Sequence, residues 1–113
     1  MTEALIDQRM YNNLVEMVGD DFIGELLDTY LEDTPMLIGE MRQSLSQGNA
    51  PAFQRAAHSL KSSSASFGAV ALADLARELE YLGRAGQLDG AAPKLEQLEA
   101  AYVRVEQALR QMS

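Results

Sequence analysis

Apolar residues recur at helical spacing along almost the whole chain, and no segment alternates apolar and polar residues as a strand does. The clearest seam lies in the last stretch, where steps of three and four follow one another without a miss through Leu95, Leu98, Tyr102, Val105, Leu109 and Met112. Such a seam is typical of a helix that packs nearly antiparallel against its neighbours. The spacing therefore predicts an all-α protein. A coiled-coil dimer remains an alternative use of this seam, although one seam of this length more often packs into its own bundle.

Glycines and capping residues divide the chain into five predicted helices. Asp7 and Asn49 are suited to cap helix N-termini, and Gly19, Gly48 and Gly68 are suited to end helices. We predict helices at about residues 7–18, 20–47, 50–67, 70–84 and 90–112. The four longer helices are expected to form an up-down four-helix bundle, with the short N-terminal helix covering one end.

The second predicted helix contains Pro35 near its middle. Proline has no N–H to donate to the carbonyl of Leu31, and an interior proline costs about 3 kcal/mol or more and kinks a helix. One kinked helix and two helices broken near Asp33-Thr34 are both compatible with this. We favour the kinked helix because the apolar periodicity continues beyond Pro35 without a loop-like segment.

The apolar faces of the helices predict the core. The second helix contributes a broad stripe made of Phe22, Leu26, Tyr30, Leu37, Met41 and Leu45, widened by Ile23, Leu27, Leu31 and Ile38. The strongest core predictions are Leu60 in the third helix and Leu79 in the fourth, where truncation of a buried leucine to alanine typically costs about 2–5 kcal/mol. The segment from Gly83 to Gly90 is predicted to be a loop.

Composition and charge exclude several classes of protein. With a formal net charge of −8, the chain offers no basic stripe for nucleic acid. One histidine and no cysteine cannot build a closed zinc site, and no glycine-rich loop followed by Lys-Ser/Thr is present for ATP. No long apolar run and no signal-peptide pattern after Met1 are found. We therefore expect one cytoplasmic domain, residues 1–113, free-standing and without a metal or cofactor of its own.

The only histidine, His58, lies on the outward side of the third helix. At roughly 100° per residue it points about 140° away from the centre of the apolar face, on the same side as Lys61 and Ser62. No Asp or Glu occurs between Glu40 and Asp74, which favours a site for an anion of phosphoryl size. An imidazole with an ordinary pKa of about 6.5 is largely neutral near pH 7 and can attack phosphorus, while Lys61 can offset the charge of the product.

Two other roles of His58 can be judged from the residues. An exposed helical histidine is more often an ordinary surface residue, so the residues alone leave that alternative open. Catalysis of the Ser-His-Asp type is not expected, because it needs an acid to orient His58 and the third helix supplies none.

The stretch that begins at His58 resembles the signature of histidine-containing phosphotransfer (HPt) domains. His58-Ser59-Leu60-Lys61 precedes small residues and Gly68-Ala69, and the family pattern is His-x-x-Lys-Gly, small residues, then Gly, within an acidic helical domain. The resemblance implies that His58 is phosphorylated on the imidazole nitrogen farther from the backbone. It also implies that Lys61 supports the phosphate and that Gly68 ends the helix. Ser62 departs from the pattern, which has Gly there; an altered fit to the partner and a hydrogen bond to the phosphate are both open.

The same resemblance implies a phosphorelay intermediate, which is a phosphoryl carrier and not an enzyme with kinase machinery. Its partners would be receiver domains, one of a hybrid sensor histidine kinase and one of a response regulator, and the receiver would hold Mg²⁺. We expect a monomer that docks beside His58 through Gln54, Arg55, Ser59, Ser62 and Ala65, with Tyr11, Val15 and Phe22 as further exposed apolar candidates. The competing class is a helical adaptor that binds a signalling partner without phosphotransfer.

Overall fold

A computed structural model describes residues 5–112, and within this range the chain forms helices joined by short connections, without a strand. The helices are α1 (Gln8–Val18), α2 (Asp20–Gln47), α3 (Ala50–Ser66), α4 (Val70–Ala85) and α5 (Ala91–Met112), with a short 3₁₀ turn at Leu88–Gly90. The all-α prediction is confirmed. The start of the chain, on which the expectation of a free-standing protein depends, lies outside the described residues. No helix of the described part is long and apolar enough to cross a bilayer.

The helix ends follow from local side-chain chemistry. A side-chain oxygen of Asp7 accepts from the N–H of Met10 at 3.2 Å, and the side chain of Asn49 accepts from the N–H of Ala52 at 3.2 Å. Each bond satisfies one of the amide groups that the first turn of a helix leaves without a partner. Both predicted N-caps are therefore confirmed.

Pro35 lies inside α2, which runs unbroken from Asp20 to Gln47, so the two-helix alternative is wrong. The carbonyl of Leu31, which loses its helical donor at Pro35, accepts a hydrogen bond from the hydroxyl of Tyr102 on α5 at 3.3 Å. Burial raises the pKa of Tyr102, so this hydroxyl keeps its proton. Helix α5 thus supplies the donor that the proline removes from α2.

The centre of the core lies where α3 packs between α2 and α4. Leu60 and Leu79 are fully buried, as predicted. Gly83 lies inside α4 and is buried, so the prediction of a loop from this residue is wrong. A Cβ at Gly83 would lie 3.0 Å from the backbone of Gln54. Helices α3 and α4 therefore approach each other closely at this point, and that approach needs a residue without a side chain.

The α5 seam is buried within the single chain. Leu95, Leu98, Tyr102, Val105 and Leu109 are buried, and Met112 is partly buried. Because the bundle already covers these residues, the seam is not available for a coiled-coil dimer.

Two predictions at the N-terminal end of the bundle are wrong. Phe22 is named both in the predicted core stripe and among the exposed docking candidates; it is 47% exposed, so its prediction as a core residue is wrong. The groove beside it is lined by residues of α2, namely Phe22, Glu25, Leu26, Asp28, Thr29 and Glu32. Tyr11 is predicted to be an exposed docking residue but is buried, because α1 packs this side chain into the core.

Candidate functional site

His58 projects from the outward face of α3. The opposite face of the helix anchors it, since Phe53, Ala57, Leu60, Ser64 and Phe67 are all buried. The side chain of His58 is 58% exposed. The imidazole is therefore open to an incoming macromolecule while its helix is held by the core.

A buried carboxylate from α4 lies directly beside the imidazole. Nδ1 of His58 is 2.9 Å from Oε2 of Glu80. Nζ of Lys61 is 2.8 Å from the other carboxylate oxygen, Oε1, and Nη2 of Arg84 is 3.0 Å from Oε2. The side chain of Glu80 is only 5% exposed. These four residues, His58, Lys61, Glu80 and Arg84, are called the His58–Glu80 cluster below.

The cluster keeps Glu80 ionised in spite of its burial. Burial by itself would raise the pKa of Glu80, but the hydrogen bonds from Lys61 and His58, together with their charges, outweigh it and lower the pKa below the ordinary value of 4.5. One carboxylate thus faces two permanent cations, Lys61 and Arg84. With a neutral imidazole the cluster carries one net positive charge, which favours a nearby anion.

The carboxylate also determines which imidazole nitrogen carries the proton. An ionised carboxylate only accepts hydrogen bonds, so Nδ1 of His58 must be the donor. In the neutral ring the other nitrogen, Nε2, then has the free lone pair. Because Nδ1 faces Glu80, the nucleophilic Nε2 lies on the far side of the ring. This arrangement suits attack by Nε2 on an electrophile presented by a partner.

Sequence reasoning missed Glu80 and its consequence. The third helix supplies no acid to orient His58, as expected, but that expectation considers only this helix: Glu80 of α4, 22 positions away, supplies one. The carboxylate-free window between Glu40 and Asp74 is likewise a property of the sequence and not of the space around His58. A signal is present, since Ala73, Ala76, Glu80 and Gly83 follow helical spacing and are all buried. Small residues at helical spacing let a neighbouring helix pack closely against this face. A carboxylate among them, here that of Glu80, is therefore expected to be covered by that helix.

The predicted docking residues divide between two sides of α3. Arg55 and Ser59 line a cleft against α2, whereas Gln54 lies against Gly83 of α4. Ser62 is exposed and Ala65 is half-buried. On the exposed surface of α4, Arg77 pairs with Asp74 at 3.5 Å. Of the predicted site residues, only His58 and Lys61 meet at one side chain, that of Glu80.

Comparison with protein families identifies the fold. The family model described as the Hpt domain matches residues 25–108 of the chain. The chain belongs to the Hpt domain family. Helix α1 precedes the matched region, which contains the whole His58–Glu80 cluster.

Solved structures of Hpt proteins superpose on most of the chain. Histidine-containing phosphotransfer protein B (HptB) from Pseudomonas aeruginosa PAO1 is 32% identical, with a TM-score of 0.92 over 98% of this chain and 96% of its own. The histidine-containing phosphotransfer protein ZmHP2 from maize is 22% identical, with a TM-score of 0.83 over 96% of this chain and 89% of its own. No curated protein matches the sequence. As an Hpt protein, the chain is a phosphorelay intermediate, a phosphoryl carrier and not a kinase.

Proposed function

We propose that Nε2 of His58 is the atom that carries the phosphoryl group between two receiver domains. The observation that carries this proposal is the contact of Nδ1 with the buried carboxylate of Glu80, at 2.9 Å, on a ring that is otherwise 58% exposed. The contact holds the ring in one orientation and one tautomer. The remaining nitrogen is then both nucleophilic and accessible.

The transfer step needs only His58 and the phosphorylated aspartate of the donor receiver. The lone pair of Nε2 forms a bond to phosphorus while the bond between phosphorus and the aspartate oxygen of the donor receiver breaks. The aspartate leaves as a carboxylate with the electron pair. The proton on Nδ1 stays on the ring, which then carries positive charge, and the carboxylate of Glu80 offsets that charge. The reverse step delivers the phosphoryl group to the aspartate of a second receiver.

Lys61 and Arg84 are proposed to bind the phosphoryl oxygens. Both cations contact Glu80 in the unphosphorylated protein, at 2.8 and 3.0 Å. Their side chains are 30% and 62% exposed, so both can turn from the carboxylate towards a dianion on the neighbouring ring. Arginine presents a planar fork of donors that matches phosphate oxygens, and lysine provides a compact charge.

The partner surface is proposed to surround His58 on α3. It is proposed to comprise Gln54, Arg55, Ser59, Ser62 and Ala65, and to extend to half-buried Val15 and exposed Phe22. The partners are proposed to be the receiver domains of a hybrid sensor histidine kinase and of a response regulator, met by a monomer in the cytoplasm. Mg²⁺ in the receiver would offset charge on the phosphoryl oxygens. Among residues 5–112, no group of three or more histidine or carboxylate side chains is placed to hold a metal ion.

The direct test is incubation of the protein with a phosphorylated receiver domain. The wild type should gain phosphate that is labile to acid and stable to alkali, as a phosphorus–nitrogen bond is. His58→Gln should gain none, and its thermal unfolding should be unchanged because the side chain lies outside the core. An absence of labelling in the wild type would favour the helical adaptor. Labelling of His58→Gln would place the phosphate elsewhere.

A further inference from the structure

The serines of α3 fall into two groups by the partners of their hydroxyls. Those of Ser63 and Ser66 donate to the backbone carbonyl one turn earlier, at 3.1 Å in each case. The hydroxyl of Ser64 is buried against that of Tyr30, at 2.8 Å. By contrast, the hydroxyls of Ser59 and Ser62 have no hydrogen-bond partner among residues 5–112. Only these two hydroxyls of α3 are free to bind something outside the chain.

Ser62 is the free hydroxyl that lies beside the imidazole. It follows His58 by four residues, so the two side chains are neighbours on one helix face, with Cβ atoms about 5–6 Å apart. The carbonyl of His58 lies one turn before Ser62, in the place where Ser63 and Ser66 find their acceptors, yet Ser62 does not bond to it. Ser59 instead lines the cleft between α2 and α3.

We infer that the hydroxyl of Ser62 donates a hydrogen bond to the phosphoryl group on His58 and thereby stabilises the phosphorylated protein. This inference rests on the proposed function. The phosphoryl oxygens are anionic acceptors, and a bond to a charged acceptor is stronger than one between neutral groups. With Lys61 and Arg84 near the ring, Ser62 adds a neutral donor one turn further along α3.

A rival role for Ser62 is a contact with the receiver domain, and thermodynamics separates the two. The equilibrium constant for transfer between the protein and a receiver depends only on the four free species, phosphorylated and unphosphorylated. A contact made only within the complex changes the rates of transfer in both directions but leaves this constant unchanged. A hydrogen bond within the phosphorylated protein shifts the constant towards that protein.

The experiment measures this equilibrium constant with one receiver domain that exchanges phosphate with the wild type, at concentrations where little complex forms. Ser62→Ala should shift the constant about two- to tenfold towards the phosphorylated receiver. Ser62→Thr, which keeps a hydroxyl, should stay close to the wild type. Ser59→Ala is the matched control: it removes the other free exposed hydroxyl of α3, which belongs to the proposed partner surface, so it can change the rates of transfer but should leave the equilibrium constant unchanged.

An unchanged constant in Ser62→Ala, with or without altered rates, overturns the inference while the proposed function stands. An equal shift in Ser59→Ala also overturns it, because the effect is then not specific to Ser62. If the wild type gains no phosphate, or if His58→Gln gains it, the proposed function itself fails and the inference falls with it.

Discussion

Replacement of Glu80 by alanine should slow phosphoryl transfer to the protein by about 10- to 100-fold, the size of the loss when a metal-ligating histidine loses the carboxylate that orients it. Without the carboxylate, the proton of His58 is free to move to Nε2, which then has no lone pair for phosphorus. The positive charge that forms on the ring also loses its counter-charge. The rate is measured in a single turnover with a phosphorylated receiver domain, stopped at successive times.

Two further variants make this prediction specific. Glu80→Gln keeps an oxygen that can accept a hydrogen bond from Nδ1 and removes only the charge. The rate of phosphoryl transfer should therefore fall less in Glu80→Gln than in Glu80→Ala. Asp74→Ala removes an exposed carboxylate of the same helix, paired with Arg77 at 3.5 Å, and should leave the rate unchanged. A wild-type rate in Glu80→Ala would mean that the carboxylate does not act on His58.

The stability of Glu80→Ala should stay close to that of the wild type. Lys61 and Arg84 are partly exposed and can be hydrated in that variant, so the midpoint of thermal unfolding should shift little.

Replacement of Gly68 by alanine should lower the free energy of unfolding by about 3 kcal/mol or more. Gly68 has a φ of +81°, and a Cβ there would lie 2.6 Å from the carbonyl oxygen of Asp7. The carbonyl of Gly68 also accepts from the N–H of Asp7 at 2.7 Å, so α1 is docked through backbone contacts that leave no room for a side chain. Urea unfolding followed by circular dichroism measures the loss.

Gly86→Ala is the matched control for that loss. Gly86 has a comparable φ of +71°, but a Cβ at this residue would have no neighbouring atom within 4 Å. Gly86→Ala should therefore lower the free energy of unfolding only by the cost of placing alanine in the left-handed conformation, about 1–2 kcal/mol. Equal losses in the two variants would show that the contact with Asp7 does not matter to stability.

Much of the fold could be predicted because the signals are local. The caps at Asp7 and Asn49 and the helical spacing of α3 and α5 depend on residues within a few positions of one another. Whether Phe22 lies in the core or at the surface could not be decided from the sequence, because the periodicity of a helix does not say which part of its apolar face a neighbour covers. The hydrogen bond from Tyr102 to the carbonyl of Leu31 could not be predicted either. The proline predicts a carbonyl without a donor, but the donor comes from another helix.

The site divides in the same way. His58 and Lys61 lie three positions apart on one helix, so their shared face follows from helical geometry alone. Glu80 and Arg84 belong to α4, and their place beside His58 depends on how closely α3 and α4 approach at Gly83. The nucleophile and one cation are therefore predictable from the sequence, whereas the orienting carboxylate and the second cation require the packing of two helices.

The most direct test of the proposed chemistry is nuclear magnetic resonance of the phosphorylated, ¹⁵N-labelled protein, with the imidazole nitrogens of His58 correlated to phosphorus and to protons. We predict phosphorus bonded to Nε2 and a proton retained on Nδ1, where Glu80 accepts it. Phosphorus on Nδ1, or on any residue other than His58, would contradict this assignment.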